Sequence, residues 1–253
     1  MYSSLIFCTV FHDSNWLPYS RHTDKSDLSI FRIHVPQFVS CLDYLHSLLK
    51  PEEETRKNKY RFERDQQRFV VTRGILRILL GQHADQSPKA IGFTVGSNKK
   101  PQLNCFPDLH YNVSHSGDWI LIGIANRTIG VDLEKINTDF LFQDVIAYSF
   151  SEAEKTHLAM NQNNSAVFYQ LWTRKEAFVK ATGQGIDANF NRIPCLNGNH
   201  PVDSDKSWLV SSFNVAENYV ATVAYPVESV AATINFYDID HSLLNHEFNE
   251  TNK

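Results

Sequence analysis

Asp132, Glu134 and Glu176 are three carboxylates that two regular elements could bring together, and Lys180 stands one helical turn beyond the third. Gly130-Val131-Asp132-Leu133-Glu134 alternates, so in a strand both carboxylates leave one face while Ile129, Val131 and Leu133 enter the core from the other. Trp172-Thr173-Arg174-Lys175-Glu176-Ala177-Phe178-Val179-Lys180 reads as a helix, and Trp172, Glu176 and Lys180 align along one side of it. Leu171 and Phe178 mark its buried stripe, which puts Trp172 and Glu176 at the flank, as on the floor of a cleft. Carboxylates on rigid supports with an ammonium beside them suit magnesium, a hard cation that bridges carboxylate and phosphate oxygens. Each half alone has a plainer reading. A D-x-E pair at a strand end fits a solvated face, and Glu176–Lys180 fits an exposed i,i+4 pair worth about 0.2–0.5 kcal/mol.

Two more groups bear on phosphate. Asn112-Val113-Ser114-His115-Ser116-Gly117 offers small donors that could approach phosphate oxygens, and it reads equally well as a polar turn. A Ser–His nucleophilic pair is disfavoured, because adjacent side chains of an extended segment point to opposite faces. Arg56, Lys57, Lys59, Arg61, Arg64, Arg68 and Arg73 crowd one helical region, with Lys100-Pro101 in a later loop. Such a run is ordinarily a solvated face. Beside a carboxylate site it is also what a polyphosphate with a bound cation requires.

The elements that must position these residues follow from periodicity. Met1 to Phe11 reads as an opening strand, without the basic leader of an export signal and too short to span a bilayer. Gln37 to Leu49 has helical spacing, Pro51 opens a charged helix, and Glu63 to Leu80 is amphipathic and closed by Gly81. Ile91 to Val95 is a short strand, and Trp119 to Ala125 with Ile129 to Glu134 reads as a hairpin across 126–128. Helices are expected at Phe140 to Tyr148, after a Ser151/Glu154 capping box, and at Ser165 to Thr182. Strands follow at Trp208 to Val215, Tyr219 to Tyr225 and Val230 to Tyr237, then a loose tail over 241–253. The class is α+β, or mixed α/β.

Composition sets limits. The chain has 253 residues, 42% hydrophobic and 21% charged, as in a globular protein with a substantial core. A net charge of −4 argues against a dedicated nucleic-acid binder, and no stretch is suited to a membrane. Cys8, Cys41, Cys105 and Cys195 are scattered without CxxC or zinc spacing, as expected of reduced thiols in the cytoplasm.

These motifs, in their order and spacing, resemble the 4′-phosphopantetheinyl transferases of the surfactin-synthetase-activating type. The likeness covers Phe62 to Leu80 (with Asp65 and Arg68), Lys100-Pro101, Asn112 to Gly117, Gly130 to Lys135, Phe150-Ser151 with Glu154, and Trp172 to Lys180 with Gly183 and Gly185. The resemblance implies a monomer of two similar α/β halves related by a pseudo-twofold, residues 1–125 and 126–240, with coenzyme A and magnesium between them. It implies transfer of the phosphopantetheine arm to a serine of an acyl, polyketide or peptidyl carrier protein, with release of 3′,5′-ADP. Asp132, Glu134 and Glu176 match the metal ligands. The coenzyme-contacting positions correspond to Arg56, Arg68, Lys100, Pro101, Ser114, His115, Asp132 and Lys180. Glu176 is the expected base, with Lys180 and His115 stabilising the leaving phosphates. Where relatives often carry a lysine shortly after the proline matching Pro51, this chain has Glu53. A coenzyme A or carrier-binding module without transfer, and an unrelated magnesium-dependent phosphohydrolase, are the alternatives.

Overall fold

A computed structural model describes residues 4–12, 14–20, 27–96, 100–104, 106–187, 189–227 and 233–244. In chain order the elements are β1 (Ser4–Val10), β2 (Trp16–Pro18), β3 (Leu28–His34), α1 (Leu42–Ser47), α2 (Pro51–Lys57), α3 (Glu63–Ala84), β4 (Phe93–Val95), β5 (Pro101–Leu103), β6 (His110–Ser116) and β7 (Trp119–Ala125). Then come β8 (Gly130–Lys135), α4 (Gln143–Ser149), α5 (Glu152–Met160), α6 (Ser165–Thr182), β9 (Gly198–Val202), β10 (Trp208–Ala216), β11 (Tyr219–Pro226) and β12 (Ile234–Ile239).

Two sheets carry the fold, ordered β2-β12-β3-β7-β6 and β8-β11-β10-β1-β9, with β4-β5 as a small separate pair. Each sheet is built on the same unit. In β3-α3-β6-β7 and in β8-α6-β10-β11, a strand leads into a long helix and then two strands, and the last strand inserts antiparallel between the first two. The mixed α+β class and the two similar halves expected from the sequence are what the chain adopts.

The pleat divides the apolar residues of each strand between two layers. Phe31, Ile33, Ile120 and Ile122 face α3, whose Val71, Ile75, Ile78 and Leu79 are fully buried. Leu28, Ile30 and Leu121 face the other sheet and pack with Ile129, Val131, Leu133, Phe213 and Val223. On the far side of that sheet, Ala177, Phe178 and Ala181 of α6 close over Ile6, Val210 and Ala224.

Several expectations are corrected. β7 and β8 are not a hairpin: β7 pairs with β3 and β6, whereas β8 pairs with β11 in the other sheet. Both are apolar alternating strands, and periodicity carries no information about which neighbour each chooses. Nor do the contiguous ranges 1–125 and 126–240 coincide with the sheets, because β1 runs parallel to β10 and β12 runs parallel to β3, so the terminal strands cross over. Gly81 does not close α3. The helix runs on to Ala84 and is capped by Asp85 in the left-handed region (φ 52°), while a Cβ at Gly81 would stand 2.7 Å from the Gln86 carbonyl oxygen. Gly81 is there for close approach. The expected tail over 241–253 begins as core, with Leu243 and Leu244 buried against the α3 side. Cys105, the start of the expected strand at Val230, and residues 245–253 lie outside the described residues.

Candidate active site

β6 and β8 are edge strands of different sheets, and they meet without a backbone ladder. Asn112, Ser114 and Ser116 alternate along β6, and their side-chain oxygens accept the backbone N–H of Val131 (2.9 Å), Leu133 (3.2 Å) and Lys135 (3.0 Å). This serine-rich face is therefore the seam between the halves, not a polar turn. Tyr111, Val113 and His115 point the other way, as the period of two requires, into a cavity of about 220 Å³.

The seam places the carboxylates. Asp132 is buried, and its Oδ1 accepts hydrogen bonds from Ser114 Oγ (3.0 Å) and Lys180 Nζ (2.7 Å). Its Oδ2 is buried with no hydrogen-bond partner. Ser116 Oγ donates to Glu134 Oε2 at 3.0 Å. Burial first, then the nearby Asp132 charge, pushes the Glu134 carboxyl up to about 7. The same two causes raise Glu176. On α6 the side chains from Leu171 to Lys180 are buried except Trp172, Glu176 and Lys180, the aligned stripe expected from the sequence.

The packing of α6 on β8 needs Gly130. A Cβ there would lie 2.1 Å from the Ala177 carbonyl oxygen and 2.4 Å from the Ala181 nitrogen, so the helix rests directly on the strand backbone. Among the described residues, no three carboxylate, imidazole or thiol groups converge as a complete metal-ligand set. The residue types nonetheless fit a hard cation. All are oxygen donors, one buried oxygen lacks a partner, and burial first, then the Asp132 charge, raises the other two carboxyls, with Lys180 paired to Asp132.

The cavity beside this cluster is lined by Arg56, Arg68 and Arg73 together with Tyr60, Phe69, Pro101, Tyr111 and His115. Arg68 pairs with Asp65 at 2.7 Å. Partial burial, then Arg68 and then Lys180, hold the His115 imidazole below its ordinary range, so it is neutral near pH 7. The structure thus brings together Arg56, Arg68, Pro101 and His115 in the cavity, with Ser114, Asp132, Glu134, Glu176 and Lys180 beside it. Lys100 stands apart. It lines an adjoining cavity of about 270 Å³, and its Nζ donates to Ala181 O (2.8 Å), Thr128 Oγ1 (3.2 Å) and Ile129 O (3.3 Å).

Sequence reasoning missed how the conspicuous charges nearest these motifs are spent. Lys175, adjacent to Glu176, is fully buried on Glu154 (2.9 Å) and bonds the carbonyls of the 190–193 segment. Arg174 is buried on Ser212, Cys195, Thr9 and Asn197. Period-four reasoning could have found both, since neither lies on the 172-176-180 stripe.

Fold and site together define a two-halved α/β protein with a phosphate-suited arginine cavity next to an acidic cluster. Residues 128–224 match the family model for the 4′-phosphopantetheinyl transferase superfamily, and residues 38–127 match that for the 4′-phosphopantetheinyl transferase N-terminal region. The 4′-phosphopantetheinyl transferase HetI of Nostoc sp. is 30% identical over 220 residues, which span 83% of this chain and 92% of that protein. A Synechocystis sp. protein provisionally named as such a transferase is 37% identical over 152 residues, 58% of this chain and 62% of its own length. A Bacillus subtilis 4′-phosphopantetheinyl transferase is 28% identical over 146 residues, 57% and 64% of the two lengths. The chain thus spans less than two thirds of the latter two relatives. It belongs to the 4′-phosphopantetheinyl transferase superfamily. None of its described helices is long and apolar enough to cross a membrane.

Proposed function

We propose that this protein transfers the 4′-phosphopantetheine arm of coenzyme A to a serine hydroxyl of an apo carrier protein. The observation that carries the reading is the Asp132–Lys180 pair, flanked by the raised carboxyls of Glu134 and Glu176 and set beside a cavity with three arginines. The cavity arginines bind phosphate oxygens of coenzyme A, with Arg56 and Arg68 as the positions the resemblance selects. Pro101 shapes the wall between the two cavities, and Lys100 adds its charge from the second. Ser114 and Lys180 hold Asp132 in place.

Asp132, Glu134 and Glu176 would hold magnesium, which when bound supplies electrophilic activation of the phosphoanhydride. Glu176 takes the proton from the carrier serine, whose oxygen forms the new bond to the phosphorus bearing the pantetheine arm. The anhydride P–O bond breaks with its electron pair leaving on 3′,5′-ADP, stabilised by the Lys180 ammonium and by an N–H donated from neutral His115. The protein acts as a monomer in the cytoplasm, where coenzyme A occurs and thiols such as Cys8, Cys41 and Cys195 stay free.

Incubating a panel of apo acyl, polyketide and peptidyl carriers with the protein, coenzyme A and magnesium tests this by intact-protein mass spectrometry. A carrier gaining the phosphopantetheine mass on its serine supports the reading. Coenzyme A binding with no modified carrier would indicate a binding module, and inorganic phosphate release without modification would indicate a phosphohydrolase.

A further inference from the structure

Along the seam, Asn112, Ser114 and Ser116 bond Val131, Leu133 and Lys135 at a constant offset of 19 residues, so β6 and β8 advance in parallel. These side chains do what a backbone ladder does inside a sheet, and two of them do something more. A serine hydroxyl has one proton to donate and two lone pairs to accept with. Ser114 Oγ accepts the Leu133 N–H at 3.2 Å and donates to Asp132 Oδ1 at 3.0 Å. Ser116 Oγ accepts the Lys135 N–H at 3.0 Å and donates to Glu134 Oε2 at 3.0 Å. Each serine thus takes the amide of one residue and reaches the carboxylate of the residue before it. At Asn112 the same offset meets Gly130, which has no side chain, so there the seam holds backbone and orients no carboxylate.

The two carboxylates differ in their other supports. Asp132 is also held by Lys180 Nζ at 2.7 Å. Among the described residues, Ser116 makes the one hydrogen bond to the Glu134 carboxylate. A glutamate side chain has rotamer freedom that must be given up when it is fixed. The Ser116 oxygen is itself anchored by a backbone amide, so its proton has a defined direction and Glu134 is ordered by it in advance.

We infer that Ser116 is the positioning residue of Glu134, holding its carboxylate ready for the cation while bonding the seam. The acidic cluster is therefore assembled across the two sheets: its carboxylates stand on β8 and α6, and the hydroxyls that aim two of them stand on β6. This rests on the magnesium reading of the site. Ser116 does not touch the cation; it acts through Glu134, as hydrogen-bonding groups behind metal ligands do in general.

Calorimetric titration of magnesium into the protein saturated with coenzyme A, alongside metal-free coenzyme A titration and urea unfolding, tests the assignment. Ser116→Ala should weaken magnesium about tenfold or more, and leave metal-free coenzyme A affinity within twofold. Ser116→Thr keeps the hydroxyl and should bind magnesium within threefold of the native protein. Ser116→Val, isosteric with threonine and well suited to a strand, should lose magnesium as alanine does, and it replaces Ser116→Ala should that variant fail to fold. Asn112→Ala is the control. It deprives one seam amide of its acceptor, as Ser116→Ala does, so it should lower the urea midpoint to a similar extent while magnesium affinity stays within twofold. Native magnesium affinity in a folded Ser116→Ala or Ser116→Val protein overturns the role of Ser116. Equal losses of magnesium in Asn112→Ala and Ser116→Ala also overturn it, because the seam would then be merely structural. A native protein that binds coenzyme A but no magnesium overturns the magnesium reading itself, and this inference with it.

Discussion

Lys180 Nζ lies 2.7 Å from Asp132 Oδ1, tying the last turn of α6 to the middle of β8. The contact exists because Gly130, two residues before Asp132, lets the backbone of α6 at Ala177 and Ala181 rest on the strand. Replacing that glycine separates the two elements that carry the acidic cluster.

Gly130→Ala is therefore expected to destabilise the protein at the upper end of the roughly 1–3 kcal/mol that overpacking costs. Its obstacle is backbone, which cannot rotate away. Urea unfolding should show the lower midpoint, and the folded fraction should turn over slowly because Lys180 no longer reaches Asp132. Native stability and native turnover together would contradict this packing.

Lys175, although it sits inside the motif that carries Glu176 and Lys180, belongs to the core. Lys175→Met leaves Glu154 buried without its partner, and breaking such a pair costs roughly 3–5 kcal/mol. Thermal unfolding should fall steeply, while the protein that remains folded at low temperature binds coenzyme A with native affinity. Native stability with lost binding would instead make Lys175 a ligand contact.

Burial pulls the Lys100 ammonium down from 10.5 to about 8. Between those values the unfolded chain holds a proton that the folded protein has released, so raising the pH across this window favours the folded state. The native protein should accordingly gain stability relative to Lys100→Met between pH 8 and 10.5. Parallel pH profiles for the two proteins would show that Lys100 titrates normally.

The candidate-site residues were legible because each obeys a local rule. The period of two placed Asp132 and Glu134 together, and the spacing of four placed Trp172, Glu176 and Lys180 on the half-open stripe of α6. The long helices and the Ser151–Glu154 capping box were readable for the same reason. Pairing between distant strands was not. β1 joins the sheet of β10, and β12 the sheet of β3, because apolar edges seek partners that no local pattern names. The alternating Asn112, Ser114 and Ser116 looked like phosphate donors or a turn, and they are the seam, since their acceptors sit on a strand of the other sheet. Glu53 stood out as an odd residue. Only the packing of α2 on α3 shows that it is the counter-ion of Arg73 and Arg77.

The central claim is that Asp132 and Glu176, on one strand and one helix, serve the same transfer of the pantetheine arm. The most direct measurement is the mass of an apo carrier after one turnover with coenzyme A and magnesium, using native protein, Asp132→Ala and Glu176→Ala, each first shown folded by circular dichroism. The account predicts a phosphopantetheine adduct on the carrier serine with the native protein and none with either variant. Near-native loading by a well-folded Asp132→Ala or Glu176→Ala protein would contradict it.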